Sequence, residues 1–487
     1  MLVCPLDCWD ICEMSKNRHK FIPSKIGITN GYLCYKLNNY FKYKKYNPPF
    51  NLDEVENLLK STNPKRILFL KGSGNLGIMQ NVTKLFFEKL GVTFAVGSSC
   101  DGAGEEGIIK AIGDTPILTT DKLKKAKNII IWGRNPYVTN THLIQFLKDK
   151  FVITIDVRNT TTAKNSDVFY QIKPNTDIFL AKYLITKNKK YLKITGLDNV
   201  YELEKMLDES IILLGLGVAK NSYAAQTTYT IYALNRPTAF LGNSGVDLNN
   251  PFSFSPKNQM PLFEIEWDKI DLVFIQGANP LVSLPNFKIP KDKKVIVFGK
   301  YLDESAKRAD IFIPTKDFYA KNDIRSSYFH EFVFKNEACE DDYGISEYEF
   351  TKEMFKRFEF DGLLSEKEYI DMIYKPVRKI DYPDKKVEFI DFNIDYKDTT
   401  YLITAKNKTS LNSQFKVDNF AYMSDFEGKA ILKTKVGSLE VEVKKDDTIP
   451  KNAVFMYAGS KVNKIISSSG KNATYSEEVV IIKKAFK

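Results

Sequence analysis

Short apolar runs recur along this chain, each ending in a glycine-rich or polar loop, and no other feature restricts the fold as much. The run from Arg66 to Lys71 reads RILFLK. It opens into Gly72-Ser73-Gly74-Asn75-Leu76-Gly77, and an amphipathic helical pattern follows to Leu90. Further runs lie at 92–97, 128–132, 152–156, 211–214, 272–276 and 295–298. Runs of this length, rich in Ile, Val and Phe and separated by helical patterns, predict strands buried on both faces of a mostly parallel sheet. The loops after them include Trp132-Gly133-Arg134-Asn135-Pro136, Asp156-Val157-Arg158-Asn159-Thr160, Gly215-Leu216-Gly217 and Gly277-Ala278-Asn279-Pro280. Loops at strand C-terminal ends are where α/β sheets take ligands. Glycine lets backbone N–H groups approach a phosphate, and a following helix N-terminus favours its charge, so the pattern predicts a ligand with several phosphates and purines. From about Thr399 short alternating strands take over, including 430–435, 438–443 and 478–483, and predict a terminal β-barrel. The polar, proline-containing stretch 381–398 reads as a linker, and no internal repeat or low-complexity tract is visible.

A chain of 487 residues with 43% hydrophobic and 27% charged residues has a globular composition, and at about 150 residues per domain it holds roughly three domains. The longest apolar stretch, from Ile211 to Ala219, falls short of the roughly 20 residues a membrane span needs. No span is expected, and a membrane link would have to go through a partner. The start, MLVCPLDC, has no basic region, apolar signal core or twin-arginine pair, so a cytoplasmic location is expected. The net charge of +11 comes from lysines dispersed in solvated runs, such as 187–190 and 291–294, with acids between them. That pattern argues against nucleic acid and for an acidic electron carrier as partner. Histidine is almost absent, with only His19, His142 and His330, so metal chemistry here must use sulfur.

Of six cysteines, Cys4, Cys8, Cys12 and Cys34 fall within the first 34 residues. A reducing cytosol and a large core argue against disulfides. The spacings of 3, 3 and 21 residues lack the CxxC knuckles of zinc ribbons. Three close thiolates and a fourth from a distant loop suit a 4Fe-4S cluster, with zinc and disulfides as the alternatives. GSGNLG, taken alone, is also the GxGxxG of a dinucleotide fold. A simple NAD site expects an acidic residue about 20 positions on to hold the ribose. The second strand runs instead into Ser98-Ser99-Cys100-Asp101-Gly102-Ala103-Gly104, with a cysteine where the acid should be. A plain NAD-dependent dehydrogenase with a zinc knuckle rests on that motif alone.

The string VCPLDCWDIC, with GYLCYK around Cys34, resembles the N-terminal cluster motif of the molybdopterin oxidoreductase family, the dimethyl sulfoxide reductase-like enzymes. The resemblance continues in order through SGNLG, SSCDGAG, WGRNP, the segment from Asp156 to Pro174-Asn175-Thr176-Asp177, QGANP, Ala309 to Pro314, and Leu411 to Phe415. It implies a multidomain α/β chain: a small N-terminal iron–sulfur domain over 1–47, a discontinuous α/β cofactor-binding domain from 48–108 and 250–390, a second over 109–249, and a C-terminal β-barrel over 398–487. It implies a molybdopterin-dependent oxidoreductase. Such an enzyme carries out two-electron chemistry, by oxygen-atom transfer or coupled to protons, on a small-molecule substrate. A bis-molybdopterin guanine dinucleotide would hold molybdenum or tungsten, and electrons would pass through the 4Fe-4S cluster to a carrier such as ferredoxin or a partner iron–sulfur subunit. The direction of electron flow stays open.

Carried over position by position, Cys4, Cys8, Cys12 and Cys34 match the cluster ligands, and Lys36 matches the lysine between cluster and pterin. Cys100 matches the protein ligand to the metal, where a soft thiolate suits the centre; Cys339 matches nothing and is taken as structural. Gly74, Asn75 and Gly77, then Gly133, Arg134 and Asn135, match dinucleotide-binding positions. Asp156, Arg158 and Asp177 match the guanine and ribose end, since carboxylates pair with guanine N–H donors and guanidinium with pyrophosphate. Gly277, Asn279, Asp310 and Asn412 are weaker matches that read equally as loop or capping residues. The lesser alternatives are an ordinary surface lysine for Lys36 and a small buried core residue for Cys100. The chain is short for the family, so a non-catalytic iron–sulfur subunit with a vestigial pterin pocket is the alternative. Ala320 stands where many relatives have glutamate after the ADIxLP strand. Asp101, not histidine, follows Cys100, which argues against formate as substrate.

Overall fold

The computed structural model describes residues 1–483 except 7, 241–245, 329, 380–381, 470–471 and 474–475. Two compact units emerge, one from Met1–Gly97, Val246–Ser327 and Phe332–Lys379, the other from Ser98–Gly245, Tyr328–Glu331 and Ile380–Lys487.

The first unit is built on six parallel strands, in the order Gln259–Pro261, Thr93–Val96, Ile67–Lys71, Leu272–Gln276, Lys294–Gly299 and Ile311–Pro314. Successive side chains of a strand point to opposite faces, and each face here has its own core. Phe69, Phe87, Phe274, Phe298 and Phe350 fill one; Leu68, Leu70, Val273, Ile275 and Val295 fill the other. The rings of Phe69 and Phe87 stack with centroids 4.2 Å apart. Helix Thr83–Leu90 closes on Gly91 in a left-handed conformation, and helix Glu347–Arg357 starts from a Ser346/Glu349 capping box. Around this sheet lie a three-stranded antiparallel N-terminal sheet (Leu2–Val3, Glu13–Asn17, Lys20–Pro23) and an antiparallel ribbon that pairs Asp323–Ser326 with Val333–Asn336. The sequence reading contained no such ribbon.

In the second unit five parallel strands lie in the order Thr238–Ala239, Ser210–Leu214, Asn128–Trp132, Phe151–Asp156 and Val168–Gln171. Helices Gly102–Ile112 and Ala224–Tyr232 pack so closely that a Cβ on Gly107 would meet the Ala225 carbonyl at 2.0 Å. Both helices belong to the second unit, whose first segment is Ser98–Gly245. Stretch 382–398 has no regular structure but is not a loose tether. Asp391 pairs with Lys182 at 2.7 Å, and Val387 donates its N–H to Asn235 Oδ1.

The same unit contains a seven-stranded sheet in the order Glu477–Glu478, Tyr401–Ala405, Ala453–Tyr457, Ala421–Met423, Ser438–Lys445, Gly428–Lys433 and Val480–Lys483. Its first and last members are neighbouring pieces of one stretch. That stretch pairs antiparallel with Tyr401–Ala405 on one side and with Gly428–Lys433 on the other, nearly closing the sheet into a barrel. Leu439, Val441 and Val443 alternate inward while Glu440 and Glu442 face water. Among the described residues no helix is long and apolar enough to cross a membrane.

Candidate cofactor and metal site

The two units build the same double loop. In the first, Gly72 N donates to Gln276 O at 2.9 Å, Gly74 N to Gly277 O at 3.2 Å, and Gly277 N to Phe298 O at 3.0 Å. In the second, Gly215 N donates to Trp132 O at 2.8 Å, Gly217 N to Gly133 O at 3.1 Å, and Gly133 N to Ile155 O at 2.8 Å. Gly277 and Gly133 stand at φ +58° and +60°, a conformation that glycine adopts without strain. Asn279-Pro280 and Asn135-Pro136 each open a short helix, with the asparagine at φ −120° ψ 70° and φ −123° ψ 71°. The repeat is permuted in the chain: the Gly72–Gly74 loop precedes its partner, and the Gly215–Gly217 loop follows its own. A Cβ at Gly72 would lie 2.7 Å from Gly277 O, and one at Gly215 would lie 2.1 Å from Gly133 O.

Several polar residues at these loops have structural work. Asn279 bonds Glu304 and Ser305, Asn135 accepts from Thr162, and Arg134 Nη2 donates to Asn140 at 2.6 Å. Asp310 accepts from Val295 N at 2.8 Å and from Lys294, and Asp167 accepts from Val152 N at 2.7 Å, so both carboxylates clamp a strand to its neighbour. Asn75 Oδ1 accepts from Gly77 N at 2.9 Å. Asn412 sits at φ +48° in the turn between Ser410–Leu411 and Gln414–Phe415, its backbone against Gly459.

Asp156 and Asp177 form the second feature of the second unit. Burial raises Asp156 from 3.8 to about 7, with Asp177 adding to the rise while Arg158 N, donating at 3.1 Å, opposes it. Asp177, buried and accepting from Trp132 Nε1 at 2.8 Å, is raised to about 6 by burial. Arg158 Nε donates to Thr448 Oγ1 at 3.2 Å, and its guanidinium lies 4.4 Å over the Phe455 ring, so it ties this loop to the barrel.

Cys100 follows the end of strand Thr93–Val96 and precedes helix Gly102–Ile112. Its N–H donates to Ser98 Oγ at 3.1 Å, and Ser98 Oγ donates to Asp101 Oδ1 at 2.7 Å. Lys220 lies within the field of Cys100 and Asp101; burial lowers it to about 8, and Lys406 adds to that effect. The loop bearing Lys220 touches the start of this helix, where a Cβ on Gly104 would lie 2.7 Å from Ala219 Cβ.

In the first unit Cys4 N donates to Cys12 O at 2.8 Å, Leu6 N points to Cys4 Sγ at 3.4 Å, and Asp10 N to Cys8 Sγ at 3.5 Å. Cys4 is pushed up to about 12 by burial and then by Cys34, while burial also raises Cys8 and Cys12, the neighbouring cysteines adding to it. Four thiols thus act on one another, although among the described residues no three His, Cys, Asp or Glu side chains converge on one metal-ion position. Cys34 immediately precedes the short helix Tyr35–Asn38, which carries half-buried Lys36. Cys339, taken as structural, is exposed.

The sequence profile of the molybdopterin oxidoreductase family matches residues 52–340, well over half of the chain. The chain belongs to the molybdopterin oxidoreductase family. It is 24% identical over 448 residues to the probable oxidoreductase YoaE of Bacillus subtilis, covering 71% of this chain and 66% of that protein. It is 25% identical over 302 residues to the F420-dependent formate dehydrogenase subunit alpha of Methanocaldococcus jannaschii, covering 45% and 43%. Among solved structures, acetylene hydratase from Pelobacter acetylenicus superposes with a TM-score of 0.69 at 13% identity, covering 99% of this chain and 100% of that one. The chain thus spans slightly under two thirds of its Bacillus relative.

Two residues of this family member escaped the sequence reading. Lys220 ends the apolar run 211–219, where it reads as an ordinary solvated boundary. Arg325 lies within the ribbon strand Asp323–Ser326, whose mixed composition carries no strand signal, yet it is 0% exposed.

Proposed function

We propose that this family member is a molybdopterin-dependent oxidoreductase acting on a small molecule, with a 4Fe-4S cluster passing electrons to a carrier such as ferredoxin or a partner iron–sulfur subunit. The observation that carries the proposal is the double glycine loop, built once in each unit at the C-terminal ends of parallel strands, where such sheets take nucleotide ligands. A pair of pterin dinucleotides asks for two equivalent cradles. The residues fit: each unit presents one such loop pair at its strand ends, packed so closely that a Cβ at Gly72 or Gly215 would strike the facing loop, and the donor set at the N-terminus is four sulfurs, two of them accepting backbone N–H bonds. When bound, a bis-pterin molybdenum or tungsten centre supplies two-electron redox chemistry with an oxygen atom or a proton.

The chain's own residues have assignable tasks. The glycine loops, their glycine N–H groups engaged across each double loop, shape the backbone against which a dinucleotide lies, and Asp156 and Asp177 accept from guanine. Cys100 offers a thiolate to the metal, and Lys220 holds a positive charge beside it. Lys36 extends from the Cys34 helix as the cation between cluster and pterin. Asp101, tethered by Ser98, occupies the position after the metal ligand, which favours oxyanion, sulfur-compound or N-oxide acceptors over formate.

Protein purified without oxygen should contain about four irons and four acid-labile sulfides, together with molybdenum or tungsten, and release about two guanine nucleotides per chain on denaturation. Adenine nucleotide with stoichiometric zinc would overturn the proposal. Rapid formate oxidation with a viologen dye would overturn only the substrate preference.

A further inference from the structure

Arg325 is 0% exposed, and its Nη1 donates to the carbonyl of Asn75, while Nε and Nη2 have no hydrogen-bond partner. A guanidinium carries five N–H donors, and leaving buried donors of a cation unmade is costly. A fold that keeps such a group in place is built around something these nitrogens can bind.

The ribbon that carries Arg325 joins two parts of the first unit. On one side it holds the glycine loop: Ile78 N donates to Ile324 O at 2.9 Å and Met79 N to Asp323 Oδ1 at 2.8 Å. On the other it holds the cysteine segment. Asn336, paired with Asp323 across the ribbon, accepts from Val3 N at 2.8 Å, and Ser327 Oγ donates to the carbonyl of Trp9, between Cys8 and Cys12. Arg325 therefore lies where the cysteines meet the dinucleotide cradle. The groups whose charge acts on it are Asp323, Cys4, Tyr40 and Glu347. Two of these are already engaged: Asp323 Oδ1 takes the N–H groups of Met79 and Ile324, and Glu347 pairs with Lys321 at 2.9 Å. Cys4 is the one that belongs to the cluster set.

We propose that Arg325 is a positioning residue of the cluster, its Nε and Nη2 donating to the sulfur shell around Cys4 and setting the cluster's reduction potential. The proposal rests on the cluster assignment above. Four thiolates around an iron–sulfur cube give a net negative charge that grows on reduction. A buried guanidinium that donates to sulfur favours the reduced form, since charge and hydrogen bonds to sulfur are the levers that set such potentials. Arg325 thus differs from Lys36: it anchors the cluster to the cradle loop through Asn75.

The test uses the whole chain purified without oxygen, with iron, sulfide and guanine-nucleotide content and an EPR-monitored redox titration for wild type, R325K and R325Q. Wild type should hold four irons. R325Q should keep iron and nucleotide while its midpoint moves to lower potential, and R325K, which keeps the charge and loses the fork, should fall between. If R325Q fails to fold or to hold iron, R325K alone decides, and a lowered midpoint is required of it. A full iron complement with an unmoved midpoint in the deciding variant overturns the proposal. Loss of guanine nucleotide with an unmoved midpoint also overturns it, and reassigns Arg325 to the dinucleotide. Zinc in place of iron in the wild type refutes the cluster assignment itself.

Discussion

The role proposed for Cys100 as metal ligand turns on a single atom. Its N–H is tied back to Ser98, so exchanging sulfur for oxygen changes the ligand and little of the loop. Cys100→Ser should keep iron and guanine nucleotide, lose turnover by roughly tenfold or more, and shift the EPR signal of the metal; an unshifted signal would remove Cys100 from the coordination sphere. Asp156 makes a prediction about pH. Its folded value of about 7 stands above its ordinary 3.8, so the folded chain binds the proton more tightly than the unfolded one. Stability from this group is therefore complete below about 4 and is lost as pH rises through about 7. Asp177, raised to about 6, acts in the same direction. Guanine donors favour the charged carboxylates, so bound nucleotide should cancel the loss. Urea midpoints of nucleotide-free protein should fall between pH 5 and pH 8. Asp156→Asn should flatten that fall, and an equal slope in the variant would refute the assignment.

The double loop is the element that most needs its sequence. Gly72→Ala and Gly215→Ala each force a Cβ into a facing glycine carbonyl or its neighbour, an overpacking of about 1–3 kcal/mol. Each variant should unfold at lower denaturant and release about one guanine nucleotide per chain in place of two. Retention of both by both variants would show that these loops are not the cradles. The strands before the loops were legible because apolar runs such as Leu272–Ile275, set between helical patterns, read as buried strands of an α/β chain. The repeat itself was hidden. Its loops share only glycine and Asn-Pro at fixed offsets, GANP and GRNP, and their strands come in permuted order. The Asp323–Ser326 ribbon was hidden for another reason: two of its four residues are buried charges, Asp323 and Arg325, where binary patterning expects apolar side chains. Among the candidate site residues, the motif positions were visible but not their employment. Asp310 and Asn279 occupy family positions and hold strands and helices together, which a string of letters does not distinguish from holding a ligand.

For the molecule as a whole, the two units differ in how their sheets are cut from the chain. The second unit takes its five parallel strands from one continuous span, 128–239. The first takes neighbours from segments far apart: Ile67–Lys71 pairs with Leu272–Gln276, about 200 residues later. On a ribosome adding about 5–20 residues per second, that partner emerges roughly 10–40 s after the strand that awaits it. In that interval Phe69 and Leu70 have only Thr93–Val96 beside them, while the whole second sheet is synthesised and able to close. The nascent chain therefore carries the strand before the Gly72 loop and its four thiols unfinished through the making of another parallel sheet. Shielding that segment from edge-to-edge pairing and oxidation is a requirement imposed by the order of the chain, before any cofactor arrives.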